Sequence, residues 1–161
     1  MIIIGSDHSG IEFKKKIIEI FLKNNIEFED VTNFESQDGD DYPDIANIIC
    51  SNVLQNEENL GIAICGTGIG ISISCNKIRG IRAALCTDVY MAEMCRRHNN
   101  TNILCLGARL ESSKNLSNIE EMINVFINTH FDGGRHDIRV KKIDKLEENG
   151  FKGGINNGNC I

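Results

Sequence analysis

Leu60-Gly61-Ile62-Ala63-Ile64-Cys65-Gly66-Thr67-Gly68-Ile69-Gly70-Ile71-Ser72 is the stretch on which the reading of this chain turns. Ile62, Ala63 and Ile64 make a short apolar run of the kind that forms a buried strand. Three glycines then fall within five residues, and an apolar, small run over residues 69–75 can start a helix. Strand, glycine turn and helix in that order aim several backbone N–H groups at one point. That makes a site for an anion, either a phosphate or an oxyanion formed during a reaction. Cys65 holds the last strand position beside those amides, where a helix N-terminus favours a thiolate. A buried Cys is usually a small hydrophobe, and glycines after a strand are often only a tight turn. Together they favour chemistry over packing.

Outward from this stretch, strands and helices alternate. Strands are expected at residues 1–5, 27–32, 60–65, 81–85 and 103–106. Helices are expected at 11–24, 44–54, 69–75, 88–97 and 116–129, with a C-terminal helix, capped by Asp137, running to about residue 148. Phe13, Ile17, Ile20 and Phe21 fall on one face of the first helix, and Pro43 suits the first turn of the second. The pattern predicts one α/β domain over 1–149, a Rossmann-like, doubly wound parallel sheet of five strands with helices on both faces. The Gly/Asn-rich tail 150–161 is expected to be disordered. Ligands of such folds bind at the carboxyl ends of the strands. Four polar loops fall there: Asp7-His8, residues 65–70, Thr87-Asp88 and the segment after Leu106. The basic loop 96–102, which carries His98, follows a helix and so belongs at the opposite edge. It reaches such a site only across a subunit boundary.

Composition narrows the function classes. The chain has 161 residues, 41% hydrophobic and 25% charged, with a formal charge of -6. An acidic balance argues against a nucleic-acid binder, and no apolar run approaches the ~18 residues of a membrane span. The start, Met1-Ile2-Ile3-Ile4-Gly5, reads as a core strand rather than a signal peptide. Seven cysteines, an odd number with no C-x-x-C pair, point to reduced thiols in the cytoplasm rather than to disulfides or zinc. The acidic loop around Asp38, Asp40 and Asp41 lacks the spacing and closing Glu of a calcium loop.

Two readings use the glycine loop. A dinucleotide fold fails because Ile71 holds the place of the final glycine of G-x-G-x-x-G, although Asp88 lies at the expected distance. A P-loop fails because no G-K-[ST] follows. An aldose–ketose isomerase of sugar phosphates needs a base for a weak carbon acid, donors for an enediolate, a group that opens the sugar ring and cations for the phosphate. Cys65 can be the base and the loop amides the donors. His98 titrates in the useful range, and Arg135 and Arg139, four apart with His136 between them, can face one anion.

At this point the chain resembles the type B ribose-5-phosphate isomerases. The likeness is carried by Gly5-Ser6-Asp7-His8, Asp41-Tyr42-Pro43, the run 64–73, Asn76-Lys77, Gly80-Ile81-Arg82-Ala83, Arg97-His98-Asn99, Thr101-Asn102 and Gly133-Gly134-Arg135-His136. It spans residues 1 to about 148. The resemblance implies interconversion of D-ribose 5-phosphate and D-ribulose 5-phosphate through a cis-enediolate, a step of the non-oxidative pentose phosphate pathway. It implies Cys65 as the base that moves the proton between C1 and C2, with Thr67 beside it. Gly66, Gly68, Ile69 and Gly70 are implied as the enediolate-binding amides, and His98 as the ring-opening residue. Asp7, His8, Tyr42 and Asn99 are implied as substrate contacts, Asn99 from a partner subunit. Arg109, Arg135, His136 and Arg139 are implied around the phosphate. A homodimer, or a dimer of dimers, with sites between subunits is implied, and no metal or cofactor. Ser6 and Asn100 depart from residues common in the family. Isomerases of allose 6-phosphate or galactose 6-phosphate share the pattern, and a non-catalytic sugar-phosphate binder is a third reading.

Overall fold

The computed structural model describes residues 1–32 and 41–148. The tail expected to be disordered lies outside the described residues, as do Asp38 and Asp40 of the acidic loop. Five strands form one parallel sheet: β1 (Ile2–Ser6), β2 (Phe28–Asp30), β3 (Leu60–Cys65), β4 (Ala83–Leu85) and β5 (Ile103–Gly107), in the order β2-β1-β3-β5-β4. Between and after them run α1 (Ile11–Lys23), α2 (Tyr42–Val53), α3 (Ile69–Cys75), α4 (Val89–Asn99), α5 (Leu116–Asn128) and α6 (Arg135–Glu148).

Alternation along the three central strands builds two cores. Ile2 and Ile4, Ile62 and Ile64, and Leu104 and Leu106 face α1, α4 and α5. Ile3, Ala63 and Cys65, and Ile103 and Cys105 face α2 and α3. Successive strand side chains point to opposite faces, so a strand covered on both sides is apolar throughout. All of β1, β3 and β5 is buried.

The strand order places the ligand edge. The chain leaves β1 for β2 through α1 on one face, then crosses back through α2 on the other face to enter β3. The order therefore reverses between β1 and β3, and a crevice opens at their carboxyl ends. Asp7 and His8 leave β1 there, and Cys65 ends β3.

Strands β2 and β4 are shorter than the expected 27–32 and 81–85, α2 starts two residues early, and two further differences bear on the site. The basic segment with His98 is not a loop, because α4 continues to Asn99 and Asn100 closes it in the left-handed region at φ 48°. Asp137 does not cap α6, which begins at Arg135. Asp137 lies in its first turn, 2.6 Å from Lys141. Among the described residues no helix is long and apolar enough to cross a membrane.

Candidate active site

The glycine loop wraps one sulfur. The Gly68 N–H donates to Cys65 Sγ at 3.1 Å, and Cys65 is buried at the floor of the loop. Gly68 makes that contact at φ +75°, a conformation that strains any residue with a Cβ. A Cβ there would also lie 2.5 Å from Leu85 Cδ1 and 3.0 Å from the Leu106 carbonyl carbon. Ser72 N–H returns to the Gly68 carbonyl, so the amides of Ile69, Gly70 and Ile71 begin the helix with no carbonyl one turn back. Only Ile69 N–H has a local acceptor, Thr67 Oγ1 at 3.4 Å.

Three other segments converge on this loop. Asp7 ends β1 and turns the chain. Its Oδ1 accepts from Ser9 N–H at 2.9 Å and Ser9 Oγ at 2.5 Å, which holds His8 outward. After β5, Ala108 N–H donates to the Cys65 carbonyl and Arg109 N–H to the Gly66 carbonyl, at 2.8 and 2.9 Å, so the arginine is fastened to the loop. Tyr42 opens α2 and lays its ring on α3 where Gly70 leaves room. The resulting cleft of about 220 Å³ is lined by Asp7, His8, Ser9, Tyr42, Cys65, Gly66, Thr67, Gly70 and Arg109. Thr87 and Asp88 do not line it. Asp88 instead caps α4 by accepting from Met91 N–H at 2.8 Å.

The remaining expected residues gather elsewhere. His98 and His136 stack with ring centroids 4.2 Å apart and planes parallel to 1°. Arg135 and Arg139 share the first turns of α6 with His136. Asp132 fixes this group to α4: its carboxylate accepts from Arg97 Nε at 3.2 Å, and its N–H donates to the Arg97 carbonyl at 3.0 Å. The Arg97 hydrogen bond holds the Asp132 carboxyl below the usual carboxylate range. Burial pushes the His136 imidazolium down, and the charges of His98, Arg135 and Arg139 push the same way, against Asp132.

The two groups lie at opposite edges of one sheet. Helix α4 leads into the amino end of β5, where the Asn102 carbonyl accepts from Gly61 N–H at 2.8 Å, whereas Cys65 ends the neighbouring β3. Gly61 to Cys65 spans roughly 13 Å at about 3.3 Å per residue, far beyond hydrogen-bond reach. The four residues expected around a phosphate therefore divide, with Arg109 beside Cys65 and Arg135, His136 and Arg139 beside His98. Asn99, also beside His98, lines a larger cavity of about 690 Å³ between α3, β4, α4 and α6, away from Cys65. Its Arg82 is already engaged, donating to the Asn100 carbonyl at 2.8 Å and facing Asp144 at 3.7 Å.

His98, Asp132 and His136 bring potential ligand atoms within 4.8 Å of one another. A metal ion must lie close to the plane of each imidazole that binds it. Parallel stacked rings share no such point, so this cluster does not fit one. The six cysteines among the described residues are free thiols, and Cys65 alone of them lines the cleft. Two contributors went unread in the sequence. Ser9 was readable, because Asp followed two residues later by Ser is a common side-chain turn. Asp132 had no local signal, since its partner Arg97 is 35 residues away.

Comparison with known proteins agrees with this fold. A profile of the ribose/galactose isomerase family matches residues 2–143. A putative sugar phosphate isomerase of Bacillus subtilis is 41% identical over 145 residues, 90% of this chain and 95% of that one. The structure of Clostridium thermocellum ribose-5-phosphate isomerase B superposes with a TM-score of 0.83 at 42% identity, over 92% of this chain and 97% of that one. That of Mycoplasma genitalium ribose-5-phosphate isomerase B with bound ribulose-5-phosphate gives 0.83 at 36%, over 91% and 95%. The chain, with its cysteine-centred glycine loop at the switch point of a parallel sheet, belongs to the ribose/galactose isomerase family.

Proposed function

We propose that this protein interconverts D-ribose 5-phosphate and D-ribulose 5-phosphate, with Cys65 as the base that carries a proton between C1 and C2. The observation that carries the reading is the Cys65 sulfur held by Gly68 N–H inside the cleft that also presents Asp7, His8, Tyr42 and Arg109. A base beside helix-start amides with no backbone acceptor one turn back is what an enediolate needs: one group removes the carbon proton, and the donors hold the developing oxyanion. Relatives named ribose-5-phosphate isomerase B, one of them with ribulose-5-phosphate bound, support the pentose over the hexose phosphates.

The working site belongs to two subunits. The cleft beside Cys65 is smaller than the ~300–1,000 Å³ of a complete small-molecule pocket, and His98, the residue expected to open the ring, does not line it. His98, Asn99, Arg135, His136 and Arg139 of a second copy supply that group and the rest of the phosphate cluster. The surface supports a homodimer. Ile69 and Ile73 on α3, Tyr90 and Met91 on α4, and Ile138, Ile143 and Leu146 on α6 are large apolar side chains left exposed by a single chain. Both half-sites border these elements.

The test is turnover of purified protein on ribose 5-phosphate, allose 6-phosphate and galactose 6-phosphate. Ribose 5-phosphate should be turned over with the highest kcat/KM. Preference for either hexose phosphate would reassign the substrate, and binding without turnover would leave only a sugar-phosphate binder.

A further inference from the structure

His136 is buried, and its two ring nitrogens are treated differently. Arg135 Nε–H donates to Nε2 at 3.3 Å, so Nε2 is the acceptor and the neutral ring carries its proton on Nδ1. Nδ1 is inaccessible to solvent and has no hydrogen-bond partner among the described residues. A buried donor left unpaired is costly, and such groups mark places where a ligand or second protein completes the contact. The charged groups around this ring are His98, stacked on it from α4, Arg97, held by Asp132 in the preceding turn, and Arg135 and Arg139 on its own helix. Asp137 is turned to Lys141. Among the described residues Asp132 is thus the carboxylate that faces this ring, against the guanidinium groups of Arg135 and Arg139. In the free protein this ring is held neutral by burial and by its neighbours' charge. Two negative charges arriving among the arginines reverse that balance.

We propose that His136 takes up a proton when a phosphate dianion binds, so that the site binds dianion and proton together. The inference rests on the sugar-phosphate reading of the site. The proton comes from solvent and adds at Nε2, which Arg135 releases as it turns to the phosphate. Nδ1 keeps its proton, and no bond to phosphorus changes. The imidazolium then pairs with the dianion.

Ribitol 5-phosphate has no carbonyl to isomerise, and at pH 7.5 its second ionisation is almost complete. Calorimetric titration of the full chain with this ligand, in buffers of low and high ionisation heat, counts the protons exchanged. Wild type should take up between about a half and one proton per site at pH 7.5, and Kd should rise with pH above neutrality. The imidazole resonance of His136, identified by its loss in His136→Gln, should move to the imidazolium position on binding. His136→Gln should bind about ten- to a hundredfold more weakly, with the loss of a charge-assisted contact, and without proton uptake. Asp132→Asn should move the uptake to lower pH. Binding heats that are equal in the two buffers, or uptake that persists in His136→Gln, would overturn the proposal while leaving the site's assignment intact. No binding of ribitol 5-phosphate at all would overturn that assignment and the proton linkage with it.

Discussion

Two glycine-to-alanine changes two residues apart should have opposite consequences. At Gly68 the backbone is left-handed, which costs a residue with a Cβ about 1–2 kcal/mol. The new Cβ would also press on the Leu106 carbonyl carbon at 3.0 Å and the Gly107 nitrogen at 3.1 Å. These are backbone atoms of a buried strand and cannot swing away, and overpacking of this kind costs about 1–3 kcal/mol. Gly68→Ala should therefore lose about 2–5 kcal/mol, or roughly 4–20 °C in Tm for a chain of this size. It should also pull the Gly68 N–H off Cys65. At Gly70 the helix gains about 1 kcal/mol from alanine. The three atoms nearest that Cβ all belong to the Tyr42 ring, at 2.8, 2.9 and 3.2 Å, and Tyr42 is a side chain rather than backbone, 43% exposed. Gly70→Ala should stay within about 1 kcal/mol of wild type. Its cost is functional. A displaced Tyr42 forfeits one sugar hydrogen bond, about 0.5–1.5 kcal/mol, hence a two- to twelvefold loss in kcat/KM. Urea unfolding at one fixed protein concentration and initial rates on ribose 5-phosphate read both effects. A Gly68→Ala protein as stable as wild type would refute the argument from the left-handed turn. A Gly70→Ala protein with unchanged kcat/KM would refute the role given to Tyr42.

Two further outcomes follow from the same geometry. Cys65→Ser should lose about 10²–10⁴ in kcat, since a serine hydroxyl is a far poorer base than a thiolate at neutral pH, yet it should still bind ribitol 5-phosphate. Activity within tenfold of wild type would remove Cys65 from the base role. Stability should fall as the pH drops below about 6.5, because the unfolded chain then protonates His136 while the fold holds that ring's proton affinity below its ordinary value. The contribution is complete above the unfolded value and is lost on acidification. His136→Gln should flatten the slope of unfolding free energy between pH 7 and 5, and an unchanged slope would assign the acid sensitivity elsewhere.

The residues show why some of this was legible in sequence and some was not. The strand ending at Cys65 declared itself because a parallel strand buried on both faces must be apolar throughout, and a glycine loop after it has few geometries. That local signal placed Asp7, Cys65 and the loop amides on one edge. The segment 96–99 read as a loop because α4 buries only Ala92 and Cys95, so its last turn looks like polar coil. The stop signal was Asn100, whose left-handed conformation is a property of tertiary context rather than of composition. Strand order, the division of the arginines between two edges and the stacking of His98 on His136 depend on pairings between residues far apart in the chain. No window of sequence contains them.

The claim that one active site is built by two copies has a direct test. Cys65→Ser and His98→Asn proteins, each inactive, are mixed in equal amounts under conditions that exchange subunits, with exchange followed by native mass spectrometry. In a mixed dimer one site collects both lesions and the other collects neither. Random exchange should therefore restore about a quarter of wild-type activity. Demonstrated exchange with no return of activity would contradict the composite site.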